Sequence, residues 1–128
     1  LHCPYNSATG NNMSDFNLEI MKEGEIIIIK TSGYLNNVGG EKISEACYSE
    51  IENGSKYFLL DLENSKVVNS IGVSILIEVI EKIEEIDGKL GYYNLAPIVE
   101  KTFKIMGISN YSTIFQSKDD GISEFSSK

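Results

Sequence analysis

The sequence contains no arginine. All eleven of its basic residues are lysines, set against nineteen acidic residues, and the formal net charge is −8. Arginine is the side chain best suited to bidentate contacts with phosphate and with guanine. Its absence and the acidic balance together argue against nucleic-acid binding and favour a partner with a basic surface.

Cysteine and histidine are almost as scarce. Cys3 lies in a polar tail and Cys47 inside a helical pattern, so we predict neither a disulfide framework nor a metal site, and Cys47 is expected to be a small buried hydrophobe. His2 is the single histidine and forms no more than one potential ligand pair with Cys3. Because no histidine base and no glycine-rich phosphate loop is present, we expect no catalytic residue, no metal and no cofactor. The strand-end pair Asp61 and Glu63 is more typical of solvated or capping carboxylates than of an acid and base.

Long hydrophobic runs are also missing. No uninterrupted apolar run approaches the roughly 20 residues that a membrane-spanning helix needs, and the basic-then-apolar pattern of a signal peptide is absent. We therefore expect a cytoplasmic protein without membrane insertion. A length of 128 residues with 41% hydrophobic content favours one compact domain. Residues 1–14 show no periodicity and are predicted to be a disordered leader or a cloning remnant, which leaves residues 15–128 for the domain.

The apolar patterns that are present predict a mixed α/β fold. The stretches FNLEIMKEG and EIIIIKTSG meet at a glycine-containing turn and are typical of an antiparallel hairpin. Strands and helices then alternate, and a strand–helix–strand unit makes its two strands parallel. Helices are predicted at VGGEKISEACYSEIENG, SILIEVIEKIEEIDG, PIVEKTFKIMG and DDGISEF, and further strands at KYFLLDLE, KLGYYNL and YSTIF. The order ββαβαβαβα describes a mixed, mostly parallel sheet of about five strands with about four helices packed on it.

A polar junction, VNSIGVS, separates the third strand from the second helix. At 100° per residue the helix turns Ile71 and Ser74 outward. Ser70 is explained most simply as the cap of this helix, a role that Asn69 could fill as well. The alternative is that Ser70, Ile71 and Ser74 begin a partner-binding surface, where the helix N-terminus would tolerate an added phosphate. The predicted core face of the helix consists of Gly72, Leu76, Val79, Ile80, Ile83 and Ile86.

These segments resemble the STAS domain, and specifically the bacterial anti-sigma factor antagonists. The resemblance rests on the strand FLLDL, the junction VVNSIGVSIL, the strand LGYYNL and the run PIVEKTFKIMGISNYSTIF, and it covers about residues 15 to 126. The family's signature at the junction, Asp-Ser-Ser-Gly followed by an apolar residue, falls on residues 69–73. A second family element, Gly-x-Leu-Asp after the second strand, falls on residues 33–36.

The resemblance implies a single STAS domain that acts as a phosphorylation switch and not as an enzyme. In the family the first signature serine, here Ser70, is phosphorylated by a partner that is both an anti-sigma factor and a serine kinase, and a PP2C-type phosphatase removes the phosphate. The unphosphorylated form binds the kinase, which releases the sigma factor. Gly72 would let the partner approach the backbone closely. The implied partner-binding residues are Gly33, Leu35, Asn36, Asn69, Ile71, Gly72 and Ser74.

The sequence departs from the family pattern at three positions. Asn36 and Asn69 stand where the family has aspartate, and Ile71 stands where it has a second serine. Asparagine keeps the shape and the hydrogen-bonding capacity of aspartate but removes its charge. These departures also suit a member that binds its partner constitutively, or one that acts inside a larger regulatory complex. A separate alternative is an accessory or sensor domain that binds a small molecule, a lipid or a transporter without phosphorylation, because STAS-like domains also occur attached to transporters and sensors.

Overall fold

The computed structural model describes residues 16–126. Within them the elements follow the predicted order ββαβαβαβα, which confirms the predicted fold class. A 3₁₀ turn, Ile108–Asn110, precedes the last strand. The predicted leader, residues 1–14, lies outside the described residues. The strands are β1 (Asn17–Glu23), β2 (Ile26–Ser32), β3 (Tyr57–Asn64), β4 (Lys89–Tyr93) and β5 (Thr113–Ile114), and the helices are α1 (Asn37–Glu52), α2 (Ser70–Glu85), α3 (Pro97–Met106) and α4 (Lys118–Ser126).

These strands form one sheet in the order β1-β2-β3-β4-β5. β1 and β2 make the predicted antiparallel hairpin, in which Ile20 pairs with Ile29. From β2 to β5 all neighbouring strands are parallel. Because each helix carries the chain back to the start of the next parallel strand, the carboxyl ends of β2, β3 and β4 share one edge of the sheet. The loops leading to α1, α2 and α3 all begin at that edge.

Both faces of the sheet are buried, and this explains the run of four isoleucines in β2. Side chains alternate between the two faces of a strand, so a strand covered on both sides is apolar throughout. Ile27 and Ile29 join the larger hydrophobic cluster, to which α1, α2 and α3 contribute. Ile26 and Ile28 join a smaller cluster that contains Phe125 of α4.

Helix α2 buries the face that its periodicity predicts. Glu78, Glu81 and Glu85 are exposed on the opposite side, and Ile71 also points outward with 55% of its surface exposed. Ile86, the last residue of the predicted face, is half-buried at the C-terminal cap of the helix. The buried residues of α2 are Gly72, Val73, Leu76, Val79, Ile80 and Ile83.

The ends of α3 and the burial of Cys47 follow the sequence pattern, whereas the length of β5 differs from it. Pro97 begins α3, and Gly107 ends it in the left-handed conformation with φ of 82°. Cys47 is fully buried in α1, and burial, followed by the charge of Glu50, raises the pKa of its thiol to about 12. The predicted strand YSTIF is shorter than expected, since β5 consists of Thr113–Ile114. None of the helices described here is long and apolar enough to cross a membrane.

The buried face of α2 should carry much of the stability. Replacing Ile80, 1% exposed, by alanine should lower the free energy of unfolding by about 2 to 5 kcal/mol, because a large core side chain is lost and a cavity remains. Urea unfolding of the two proteins measures this. Ile105→Ala is the matched control: that side chain is 74% exposed, and its removal should cost less than about 0.5 kcal/mol. Equal losses in both variants would contradict the assignment of the core face.

Candidate functional site at the starts of two helices

Two loops at the carboxyl edge of the sheet carry the candidate residues. The β2–α1 loop, residues 33–36, and the β3–α2 loop, residues 65–69, run side by side and are joined by main-chain hydrogen bonds. The Leu35 N–H donates to the Val67 carbonyl at 2.9 Å, and the Asn69 N–H donates to the Leu35 carbonyl at 3.0 Å. The Gly33 N–H adds a bond of 3.1 Å to the Asn64 carbonyl. The two loops therefore form one short parallel ladder beyond the ends of the regular strands.

Each loop ends in an asparagine that caps the following helix. Asn36 Oδ1 accepts a hydrogen bond from the Gly39 N–H at 3.1 Å, and Asn69 Oδ1 accepts one from the Gly72 N–H at 2.9 Å. The simplest sequence interpretation, that Ser70 caps α2, is therefore wrong. Serine and asparagine are comparable caps, and the extended backbone of Asn69 gives it the cap position.

Ser70 is consequently the first residue of α2 and is exposed to solvent. Its hydroxyl makes no hydrogen bond to another residue of the chain between 16 and 126, while its carbonyl accepts one from Ser74 Oγ at 2.8 Å. Ser74 is exposed as well, one turn further along the helix. Among the described residues, therefore, none depends on the Ser70 hydroxyl for a hydrogen bond, and Ser70 is exposed at a helix N-terminus.

Gly72 and Leu35 lie beneath this surface. A Cβ atom at Gly72 would lie 2.5 Å from the Leu35 carbonyl oxygen and 3.0 Å from that of Asn36, so only glycine lets the β2–α1 loop approach α2 this closely. Leu35 itself is 0% exposed. Gly72 is buried as well, and the expected contact of these two residues with a partner stays a prediction. The close approach at Gly72 is made by the protein's own loop.

Exposed apolar side chains surround the two helix starts. Ile71 was expected there from the helix projection, and the structure adds Val67 at 58% and Val38 at 49% exposure. Val67 precedes α2 in the loop, and Val38 lies in the first turn of α1. Val67 and Val68 are adjacent, and neighbouring side chains of an extended segment point to opposite sides. The pair in the sequence therefore indicates that one valine is exposed, and in the structure this is Val67, while Val68 is half-buried. We call Ser70, Ile71, Val67 and Val38, together with the caps Asn36 and Asn69, the helix-start surface.

Buried polar groups support the loops from inside. The Thr31 and Ser65 hydroxyls are hydrogen bonded to each other at 2.7 Å, and both residues are buried. They join the end of β2 to the start of the β3–α2 loop. No sequence pattern indicated this pair, because a hydroxyl pair between elements 34 residues apart leaves no periodic trace.

Of the two strand-end carboxylates, that of Asp61 has structural partners. Asp61 is 7% exposed, and its Oδ1 accepts hydrogen bonds from the Glu63 N–H at 3.0 Å and from Asn94 Nδ2 at 3.1 Å. Burial, and then the negative charge of Asp61, raise the pKa of the Tyr93 hydroxyl. The hydrogen bond from Asn94 ties the turn between β4 and α3 to the Asp61 carboxylate. Within residues 16–126, no three histidine, cysteine or acidic side chains come together as potential metal ligands.

Comparisons with known proteins agree with this architecture. The family model of the STAS domain matches residues 17–121. The chain therefore belongs to the STAS domain family. A curated relative, BtrV of Bordetella bronchiseptica, a proposed anti-sigma factor antagonist, is 21% identical over 100 residues, which cover 78% of this chain and 86% of BtrV.

Solved structures show the same fold. An anti-sigma factor antagonist from Mycobacterium paratuberculosis matches with a TM-score of 0.78 at 16% identity, covering 88% of this chain and 96% of the other. The Bacillus cell fate determinant SpoIIAA in its phosphorylated form matches with a TM-score of 0.65 at 22% identity, covering 86% and 98%. The murine anion transporter Slc26a9 matches with a TM-score of 0.72 at 16% identity, over 84% of this chain and 19% of the transporter. The fold is that of the anti-sigma factor antagonists, as the resemblance implied.

The contributions of Asn69 and Ser70 to the stability of the protein can be compared by mutation. Asn69→Ala should lower the free energy of unfolding by about 1 kcal/mol, because the Gly72 N–H loses its cap. Ser70→Ala, the neighbouring control, should change it by less than about 0.5 kcal/mol, since no hydrogen bond of its hydroxyl is lost. Thermal or urea unfolding of both variants provides the comparison. A larger loss in Ser70→Ala than in Asn69→Ala would mean that serine is the cap after all.

Proposed function

We propose that this protein is an anti-sigma factor antagonist that binds an anti-sigma factor with serine kinase activity and is switched by phosphorylation of Ser70. The observation that carries the proposal is the state of Ser70: it is exposed, its hydroxyl is unengaged within residues 16–126, and Asn69 performs the capping. A phosphate can be added to this hydroxyl without the loss of a hydrogen bond between residues 16 and 126. In this account the protein acts through binding and modification and not as a catalyst.

The position of Ser70 is favourable for a phosphate. The N–H groups of the first helical turn have no partner within the helix, and the helix dipole is positive at this end. Asn69 Oδ1 already occupies the Gly72 N–H, so the earlier N–H groups are the ones that face a modified Ser70. Both caps are neutral amides and do not repel a phosphate, as carboxylates would. The modified protein is expected to keep its fold and to change only the charge of the surface.

That change of charge provides the switch. A phosphate adds about −1.5 to −2 charge at neutral pH, next to the exposed side chains of Ile71 and Val67. A partner surface that fits these apolar groups must be largely desolvated on binding, and a new charge in such a contact costs several kcal/mol. We therefore assign Ile71, Val67 and Val38, with Asn36, Asn69 and Ser74, to partner contact. Gly33, Leu35 and Gly72 position the loops beneath them.

Modification by the kinase tests the proposal directly. The full chain, its Ser70→Ala variant and its Ser70→Asp variant are incubated with a candidate anti-sigma factor serine kinase and with ATP, and the products are analysed by mass spectrometry. We expect one phosphate, located on Ser70 and absent from Ser70→Ala. A PP2C-type phosphatase should remove it and restore binding.

Binding of the same kinase supplies the second readout. Ser70→Asp should weaken the complex by about tenfold or more, with an unchanged free energy of unfolding. Ser123→Asp is the matched control, because Ser123 is exposed on α4, which packs on the other face of the sheet, and binding should be unaffected. A complex that forms while Ser70 stays unmodified would replace the switch by constitutive binding. Failure to bind any kinase would favour the accessory-domain alternative, which stays a prediction because the likeness to the transporter shows the fold alone.

A further inference from the structure

A groove between β1 and α1 is a second surface, which shares only Val38 with the residues assigned to the proposed switch. β1 is an edge strand, and among residues 16–126 no strand pairs with its outer side. Its inner-facing side chains become steadily more exposed along the strand, from Phe16 at 1% through half-buried Leu18 to Ile20 at 43%. Because side chains alternate between the faces of an extended segment, these three residues share one face, and α1 covers only its first part. A groove of about 510 Å³ remains between the uncovered part and the helix.

The chemistry of the groove is apolar at the floor and acidic at the rim. Ile20, Val38 and Ala46 supply apolar surface, and the α1 residues that line it recur at helical spacing along one side of the helix. Three carboxylates lie along the helix, and one ammonium group, that of Lys42, is bound to the Phe16 carbonyl oxygen at 2.9 Å. The three carboxylates belong to Glu41, Glu45 and Glu50.

The unpaired edge and the acidic rim together define an occupant. An edge strand presents a row of main-chain N–H and C=O groups that an extended segment can pair with. Alternate side chains of such a segment point to one face of the sheet and would enter the groove. The carboxylates of α1 then favour lysine or arginine on that segment over acidic side chains. We propose that this groove binds an extended, basic segment of a partner protein, which adds to the sheet as a strand beside β1.

A titration with model peptides tests the proposal on the full chain. The probe is a synthetic peptide of alternating lysine and valine, equal in length to β1 at 7 residues. One control peptide alternates glutamate and valine, and a second has the same lysines and valines in two blocks. Amide chemical shifts of the labelled protein report binding and its location. We expect the alternating basic peptide to bind, with shifts confined to β1 and α1 and with slower hydrogen exchange of β1 amides.

Charge reversal on the rim gives the matched comparison. Glu45→Lys should lower the affinity for the alternating basic peptide by about tenfold, because an attraction becomes a repulsion. Added salt should lower the affinity of the wild-type protein for the same peptide. Glu81→Lys makes the same change on the exposed side of α2 and should leave the affinity unchanged. The proposal would be overturned if the peptide with lysines and valines in two blocks bound as tightly as the alternating one. It would also be overturned if both protein variants weakened peptide binding equally, since only general charge attraction would then explain the binding.

Two further measurements exclude other occupants. If removal of residues 1–14 raises peptide affinity about tenfold, the chain's own N-terminal segment competes for the groove, and the proposal of a partner segment is wrong. If sedimentation shows a dimer that Glu45→Lys dissociates, a second copy occupies the groove, and the proposal is again wrong. An unchanged affinity after truncation and a monomer in solution are the expected results.

Discussion

The close contact between Gly72 and the Leu35 carbonyl is the constraint on which the rest of the site depends. A side chain at position 72 would overlap that oxygen, so the β2–α1 loop can lie against α2 only because this residue is glycine. The contact allows the Leu35 main chain to bond both Val67 and Asn69. It also brings the starts of α1 and α2 together: a Cβ atom at Gly40 would lie 3.3 Å from the Gly72 carbonyl oxygen. Two loops that are distant in sequence thus become one rigid platform.

The residues around Ser70 carry the hydrogen bonds that hold this platform together. Asn36 and Asn69 cap the helices with their side-chain oxygens. The buried hydroxyls of Thr31 and Ser65 are hydrogen bonded to each other. Ser70 is left with a hydroxyl that nothing in the described chain requires. Because neighbouring residues hold the first helical turn, we expect that a change of charge at Ser70 would change the charge of the surface without changing the fold. Helix α1 links this platform to the β1 groove, since Val38 lies at both.

Periodic parts of the fold could be predicted from the sequence, and aperiodic parts could not. The face of α2 and the alternation of Ile26 to Ile29 follow from repeats that burial imposes on regular structure. The resemblance to a family singles out Ser70 at this junction, and its phosphorylation stays a prediction. The cap was assigned to the wrong residue, because serine and asparagine have nearly equal cap energies and the choice depends on the backbone angles of Asn69.

The loops show a second limit of sequence reasoning. The Leu35 side chain is buried, and a segment of four residues has no period that reveals which side chain turns inward. Its burial is decided by the ladder to Val67 and Asn69, a pairing between segments about thirty residues apart that local pattern does not encode. The same long-range pairing explains why the hydroxyl pair of Thr31 and Ser65 was missed. Tertiary contacts between loops, and not propensity, set the geometry of the site.

Native-state hydrogen exchange of the Leu35 and Asn69 amides tests the central claim most directly. Both N–H groups belong to the ladder between the two loops, so the account predicts the same free energy of opening for both. In a Gly72→Ala variant, where the new side chain would displace the Leu35 carbonyl, both should lose protection together. A Leu35 amide that exchanges at the rate of an open loop while the Asn69 amide stays protected would contradict the existence of a single platform.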